Sequence, residues 1–377
     1  MASIYLDYNA TTPVAEAVCR VVDFALHHLW GNPSSGHALG SAAKEYLETA
    51  RRLVSGLLNA QPGEIIFTSG GTESNNMVLQ GVCQAVADRG RHIVTSQIEH
   101  PSVLNPCARL ADTGWTVSYA SVDERGAVSP DEIRRLLRSD TVLISVMLAN
   151  NETGVIQPLQ DIAAMAREEN ILVHTDAAQA VGKIAVDVTE LGVDYLTVAG
   201  HKLYAPKGIG ALFRRKGAPF HRILYGAGQE NGCRPGTEPV PLAVGLGEAC
   251  RIAAADLETE ARRQKMLTEE FFSRLSAICP AVVRHGRPDE TLPNTLSVSF
   301  PGVDARELLA QCPQIMASTG AACHEKSEGV SHVLEAMGMD EETARGTVRF
   351  SMGRDTTGSD VSDAARALKT ALKAVGH

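Results

Sequence analysis

The chain reads as an α/β protein: a large domain built on a mostly parallel seven-stranded sheet, followed by a smaller α+β domain. Three observations carry that reading. From residue 64 to about 215, short β-rich runs alternate with helical stretches. Such alternation implies right-handed βαβ crossovers and a parallel sheet. The runs are apolar nearly throughout, as strands covered on both faces require. The length, 377 residues, asks for two domains at roughly 150 residues each.

The elements follow in order. EIIFT (64–68) is the first strand, and a helical stretch over 73–88 succeeds it. HIVTS (92–96) precedes a helix near 101–111, and WTVSYASV (115–122) precedes another from Pro130 to Arg138. TVLISVMLA (141–149) is a nearly continuous apolar run, with a helix from Pro158 to Glu169 behind it. ILVHT (171–175), VDYLTVA (193–199) and IGALFRR (209–215) complete seven strands. Beyond residue 247 the character changes. A long charged helix runs from about Glu248 to Ile278. Three strand-like runs follow at 281–285, 294–300 and 347–352, with helical stretches near 304–312, 331–337 and 358–375. We therefore expect a large domain over 15–250 and a small one over 251–377, with residues 1–14 packed on the latter.

Composition narrows the function classes. Apolar residues at 44% and charged residues at 21% are ordinary globular usage, which excludes whole-chain disorder, collagen and coiled coil. The formal net charge of −9 makes broad nucleic-acid binding a poor expectation. Eight cysteines are too sparse for a disulfide framework, and none are spaced CxxC. The start lacks the apolar core of a secretory signal, and no run of about 20 apolar residues spans a membrane. A cytoplasmic protein with reduced thiols, no membrane contact and no nucleic-acid partner is the expectation.

In open α/β sheets ligands bind beyond the carboxyl ends of the strands. Those ends here read SGGTESNN, QIEH, NNETG, Asp176 with Gln179, and Gly200-His201-Lys202. Gly70 and Gly71 allow close approach of an anion to a helix N-terminus, with the Thr72 hydroxyl as an added donor. The same turn reads equally as an ordinary cap. Asp176 alone is a candidate N-cap and Lys202 alone a surface lysine. Together, a phosphate cradle, an acid and a lysine at one sheet edge match pyridoxal phosphate held by a lysine, with an aspartate on the ring nitrogen. His100 at a strand end could stack on the ring or move a proton. Cys323 lies in STGAACHEKSEG, a loop composition that suits a nucleophilic thiol. Arg349 could clamp a substrate carboxylate or form an interdomain salt bridge. Cys312, Cys323, His324 and His332 fit no zinc spacing, so no metal is expected.

Along nearly the whole chain these motifs resemble the cysteine desulfurases, which are similar to class V aminotransferases. The resemblance rests on YLDYNATTP (5–13), GNPSSGH (31–37), FTSGGTESNN (67–76), SQIEHPSV (96–103) and LANNETG (148–154). HTDAAQ (174–179), GHK (200–202), RPGTE (234–238), STGAAC (318–323) and VRFSMGR (348–354) continue it in order. It implies fold type I of the pyridoxal-phosphate enzymes and a homodimer. It implies Lys202 as the Schiff-base lysine, Asp176 on the pyridine nitrogen, Gln179 on the ring hydroxyl and His100 stacked on the ring. Asn151 would contact the cofactor, and Gly71, Thr72 and His201 would cradle its phosphate, joined by Thr237 from the neighbouring subunit. Arg349 would hold the substrate carboxylate, and Cys323 would become persulfidic. The implied reaction converts L-cysteine to L-alanine and passes sulfur to a protein or thiol acceptor.

The chain departs from the family pattern at three places. Ala199 replaces a serine before GHK, Pro235 replaces a serine after Arg234, and the catalytic stretch reads GAACH. These resemble the selenocysteine lyase branch, which acts on L-selenocysteine. The spacing from Cys323 to Ser331 is that of the long-loop desulfurases. A catalytically silent scaffold for sulfur-assembly partners is a further alternative, against which Lys202, Asp176 and Cys323 speak together.

Overall fold

The computed structural model describes residues 3–319 and 330–376. In chain order the strands are β1 Ile4–Tyr5, β2 Ile65–Thr68, β3 His92–Ser96, β4 Thr116–Ala120, β5 Thr141–Ser145, β6 Leu172–Asp176, β7 Tyr195–Ala199 and β8 Gly210–Arg214. They continue as β9 Val283–Arg284, β10 Thr295–Ser299, β11 Ile315–Met316, β12 Ser318–Thr319 and β13 Thr347–Ser351. The helices that matter below are α1 Glu16–His28, α2 Ala38–Leu57, α3 Gly71–Ala85, α4 Pro101–Ala111, α5 Pro130–Leu136, α6 Leu159–Glu168 and α7 Val188–Leu191. Beyond them lie α8 Val240–Ile278, α9 Ala305–Ala310, α10 His332–Ala336, α11 Glu341–Arg345 and α12 Gly358–Ala374.

The large sheet has seven strands in the order β2-β8-β7-β6-β5-β3-β4. Its pairings are parallel from β4 through β7, while β8 runs antiparallel to both β7 and β2. Six strands thus point one way and put their carboxyl ends on one edge. β5, β6 and β7 are buried along their whole length, which explains their unbroken apolar runs. β4 at the sheet edge is half exposed.

The apolar run 141–149 outlasts its strand. Beyond Ser145 the chain still follows β6, with Val146 and Leu148 donating to the carbonyls of His174 and Asp176. It then folds back, Asn150 donating to Val155 and Gln157 to Leu148. The apolar character past Ser145 therefore serves a buried reversal at the sheet edge.

Two helices, α1 and α2, lie ahead of the strand series and were not expected. The buried positions of α2 include Ala43, Leu47, Ala50 and Val54, a helical spacing. Small residues on that face weaken its apolar signal. The long helix also starts earlier than its charges suggest, at Val240. Its first half, through Ala243, Leu246, Ala249 and Ala253, packs in the core of the large sheet. Its second half, through Leu267, Phe271 and Leu275, packs in a separate core with β10, β13 and α12. β1 and Leu6 join that second core, pairing β1 with β11.

Candidate active site

A cavity of about 540 Å³ opens at the carboxyl edge of the large sheet, against β12 and β13. Its wall brings together Gly71, Thr72, His100, Asn151, Asp176, Gln179, His201, Lys202 and Arg349, nine of the expected site residues. They are 278 positions apart at the extremes and come from five strand ends and the middle of β13, so only the sheet topology assembles them.

Each side chain is placed by local structure. Gly70 has φ +151° and caps α3 just before its first residue, so the first backbone N–H groups of the helix face the cavity with Thr72. Asp176 is the last residue of β6 and is buried. Its Oδ1 accepts from Ala178 N at 2.9 Å and its Oδ2 from Asn75 Nδ2 at 2.7 Å. Asn75 Nδ2 also donates to Ser102 Oγ at 2.8 Å. His100 caps α4, its Nδ1 accepting from Ser102 N at 3.1 Å and lying 2.8 Å from Ser102 Oγ. With both partners donating to Nδ1, the neutral ring carries its proton on Nε2. Burial lowers the His100 pKa, against the pull of Asp176, and Lys202 and His332 lower it further.

Lys202 ends a short 3₁₀ turn after β7. Its Nζ donates to the carbonyls of Asn9 and Ala10 at 2.5 and 2.8 Å. The N-terminal segment is thus part of the site. His201 is held by Thr11 and Thr12: its Nδ1 lies 3.1 Å from Thr11 Oγ1, and its carbonyl accepts from Thr12 N at 3.0 Å. Burial and the nearby lysines press the His201 pKa down to about 4, so the ring is neutral at pH 7. Three residues on, Tyr204 has φ +67°. Such a non-glycine conformation costs roughly 1–3 kcal/mol and persists only when over-determined. Here Thr12 Oγ1 accepts from Tyr204 N, and Tyr204 Oη from Arg354 N.

Arg349 lies in the middle of β13 and is buried. Its guanidinium already makes an ion pair with Asp7 at 2.7 Å and donates to Ser318 Oγ and to the Asn151 carbonyl. Its Nε–H is buried without a partner among the described residues. The residue lines the cavity, and a guanidinium there suits an anionic group.

Sequence reasoning missed several residues that the site uses. Asp7 and Asn9 lie in YLDYNATTP, which carried a resemblance without a role. Asn75 lies in SGGTESNN. Ser318 and the buried Glu99 gave no signal beyond their motifs, and the buried Lys183 lies in none of them. Thr237 is exposed and outside the cavity wall. Its loop is anchored to α3, because Arg234 pairs with Glu73 at 2.9 Å. Ala199 lines the cavity beside Gly71 and offers no hydroxyl there. Cys323 and His324 lie outside the described residues.

The donor set fits one kind of guest. A helix N-terminus with Thr72 and a neutral His201 suits a phosphate, a buried carboxylate suits a protonated ring nitrogen, and an amine stands beside them. A Cβ at Gly71 would stand 3.4 Å from Ala199 Cβ, an ordinary contact.

Comparison with known proteins agrees with this geometry. The profile of the class-V aminotransferase family matches residues 4–363. The cysteine desulfurase IscS of Dictyoglomus turgidum is 42% identical over 361 residues, 95% of this chain and 92% of the relative. A solved NifS-like protein superposes with a TM-score of 0.92 at 36% identity, covering 98% of this chain and 99% of the other. SspA, solved in complex with cysteine, superposes with a TM-score of 0.83 at 35% identity, covering 93% and 99%. None of these relatives supports the selenocysteine lyase alternative.

Proposed function

The chain belongs to the class-V aminotransferases and, among them, to the cysteine desulfurases, and from that premise we propose how its own residues carry the reaction. The family is dependent on pyridoxal phosphate. The observation that supports the present assignment is the convergence of Lys202, Asp176, His100 and Arg349 on one cavity.

In this reading Gly71, Thr72 and His201 hold the cofactor phosphate, Asp176 its ring nitrogen and Gln179 its ring hydroxyl, with His100 on the ring face and Asn151 beside it. Bound there, pyridoxal phosphate supplies a ring that accepts the electrons left at the substrate α-carbon. Asp176 is fit for its part because Asn75 and the Ala178 N–H fix its carboxylate. Arg349, in the cavity wall, orients L-cysteine by its carboxylate. Lys202 Nζ takes the α-proton and returns it, held in place by the Asn9 and Ala10 carbonyls. The neutral His100 offers its Nε2–H to a developing anion at the substrate. Cys323, as thiolate, attacks the substrate sulfur. The carbon–sulfur bond breaks, a sulfur–sulfur bond forms on Cys323, and protonation of the remaining carbon gives L-alanine. The persulfide then passes to a protein or thiol acceptor.

The same proposal includes a homodimer, a division near residue 250 inside α8, and a cytoplasmic location. The exposed Thr237 supports the dimer, because a cofactor contact from that residue needs a second copy. Substitution tests the assignment. Lys202→Ala should bind pyridoxal phosphate without the covalent link and make no alanine. Cys323→Ala should lose alanine production from cysteine by two or more decades, several kcal/mol of barrier. Alanine formation at the wild-type rate by either variant overturns its role.

A further inference from the structure

Four residues beyond Gln179 stands a lysine that the reaction above leaves without a task. Lys183 is buried, and its Nζ lies 2.7 Å from Gln179 Oε1 and 3.1 Å from Asn9 Oδ1. The amides around it have only one consistent orientation. Asn9 Oδ1 also accepts from Asn294 Nδ2 at 3.0 Å, so an oxygen faces Lys183 there. The Asn9 carbonyl is 3.0 Å from the other end of the Gln179 amide, so a nitrogen must face it. Gln179 Oε1 is left to Lys183. The amide nitrogen carries two hydrogens, and only one goes to Asn9.

The Asn9 carbonyl is shared, since Lys202 donates to it as well. That weakens its hold on Gln179. Without Lys183, Gln179 Oε1 would lose its donor in a buried setting, and the amide could turn its oxygen to the cavity. A buried lysine is costly; burial lowers its pKa well below the ordinary range, as do Lys202 and Arg349. A methionine would fill similar space without that cost.

We propose that Lys183 is a positioning residue that locks the Gln179 amide with an N–H directed into the cavity. The proposal rests on the cofactor reading above, in which the ring hydroxyl of pyridoxal phosphate accepts that hydrogen. The test is a double-mutant cycle on the full chain with Lys183→Met, Gln179→Ala and both together. Pyridoxal phosphate is the probe, read by its dissociation constant and by the absorption maximum of the loaded protein. Each single substitution should weaken binding about tenfold, the ~1.4 kcal/mol of one oriented hydrogen bond. Both should move the absorption maximum in the same direction. The double variant should be no worse than Gln179→Ala. Losses that add to about a hundredfold, or an absorption maximum unmoved by Lys183→Met, overturn the proposal. Where Lys183→Met does not fold, Lys183→Gln, polar but too short to reach Oε1, takes its place in the cycle. Failure of both to fold makes Lys183 a structural residue and equally overturns it. Wild-type protein that takes up no pyridoxal phosphate overturns the cofactor reading first, a result distinguishable from additive losses in a chain that binds it.

Discussion

Replacing Glu99 by glutamine should change how stability depends on pH. Glu99 is fully buried next to the active site. Its Oε1 accepts from the Ser96 hydroxyl at 2.5 Å and from Met147 N at 3.0 Å, while Oε2 is buried without a partner among the described residues. Burial pushes its pKa up to about 8; the two hydrogen bonds oppose the rise, and Asp176 adds to it. In the unfolded chain a glutamate titrates near ~4.3. The folded-state value is the higher one, so the contribution is full below the unfolded pKa and is lost as pH rises toward about 8. Between pH ~5.5 and ~7.5 the folded state holds about one proton more than the unfolded state. At ~1.4 kcal/mol per pH unit, wild-type protein gives up about 2–3 kcal/mol from this group across that window. Glutamine keeps the Oε1 acceptor and places an amide where the proton sat, with no titration. Other buried groups have the opposite sign. His174 and His285 are lowered by burial to about 3 and about 4, and they favour folding as pH rises. The wild-type curve alone therefore mixes terms, and the difference between variants isolates Glu99. Urea unfolding of both proteins, at equal concentration and equal cofactor loading, should show Glu99→Gln gaining about 2–3 kcal/mol on wild type from pH ~5.5 to ~7.5. A constant difference across that range would mean that Glu99 is ionised in the folded protein, and the reasoning would fail.

Two further substitutions follow from buried polar contacts. Glu230→Ala should cost roughly 3–5 kcal/mol by urea unfolding, because Arg51 would keep its buried charge without the carboxylate that holds it at 2.7 and 2.9 Å. A loss below ~1 kcal/mol would show that Arg51 finds water or another acceptor. Asn75→Ala removes the one donor shared by Asp176 and Ser102. It should lower stability by about 1.5–3 kcal/mol, the range for a hydrogen bond to a charged group, and speed cofactor loss on dialysis. Unchanged stability and retention would show that Asp176 needs no fixing.

The strand series was legible because each buried strand had to be apolar throughout and each crossover had to be helical. The ends of those strands then displayed the site in order, from Gly71 and Thr72 to Lys202. Sequence order also made Asp176 and Gln179 neighbours, since a strand end and the turn after it are one local unit. Other features had no local cause. Asn9 serves Lys202, Gln179 and Lys183 only because the first residues cross from the small-domain core to the sheet edge. Arg349 could be read as a clamp or as a salt bridge; the fold gives it Asp7, 342 positions away, and leaves its Nε–H unpartnered. The tautomer of His100 and the amide orientation of Gln179 depend on which donors surround them, and a string of residues holds no such distances. Glu99 and Lys183 are ordinary surface types by composition. Burial alone makes them unusual, because the cost of charging a group is set by the dielectric around it, and tertiary packing decides that.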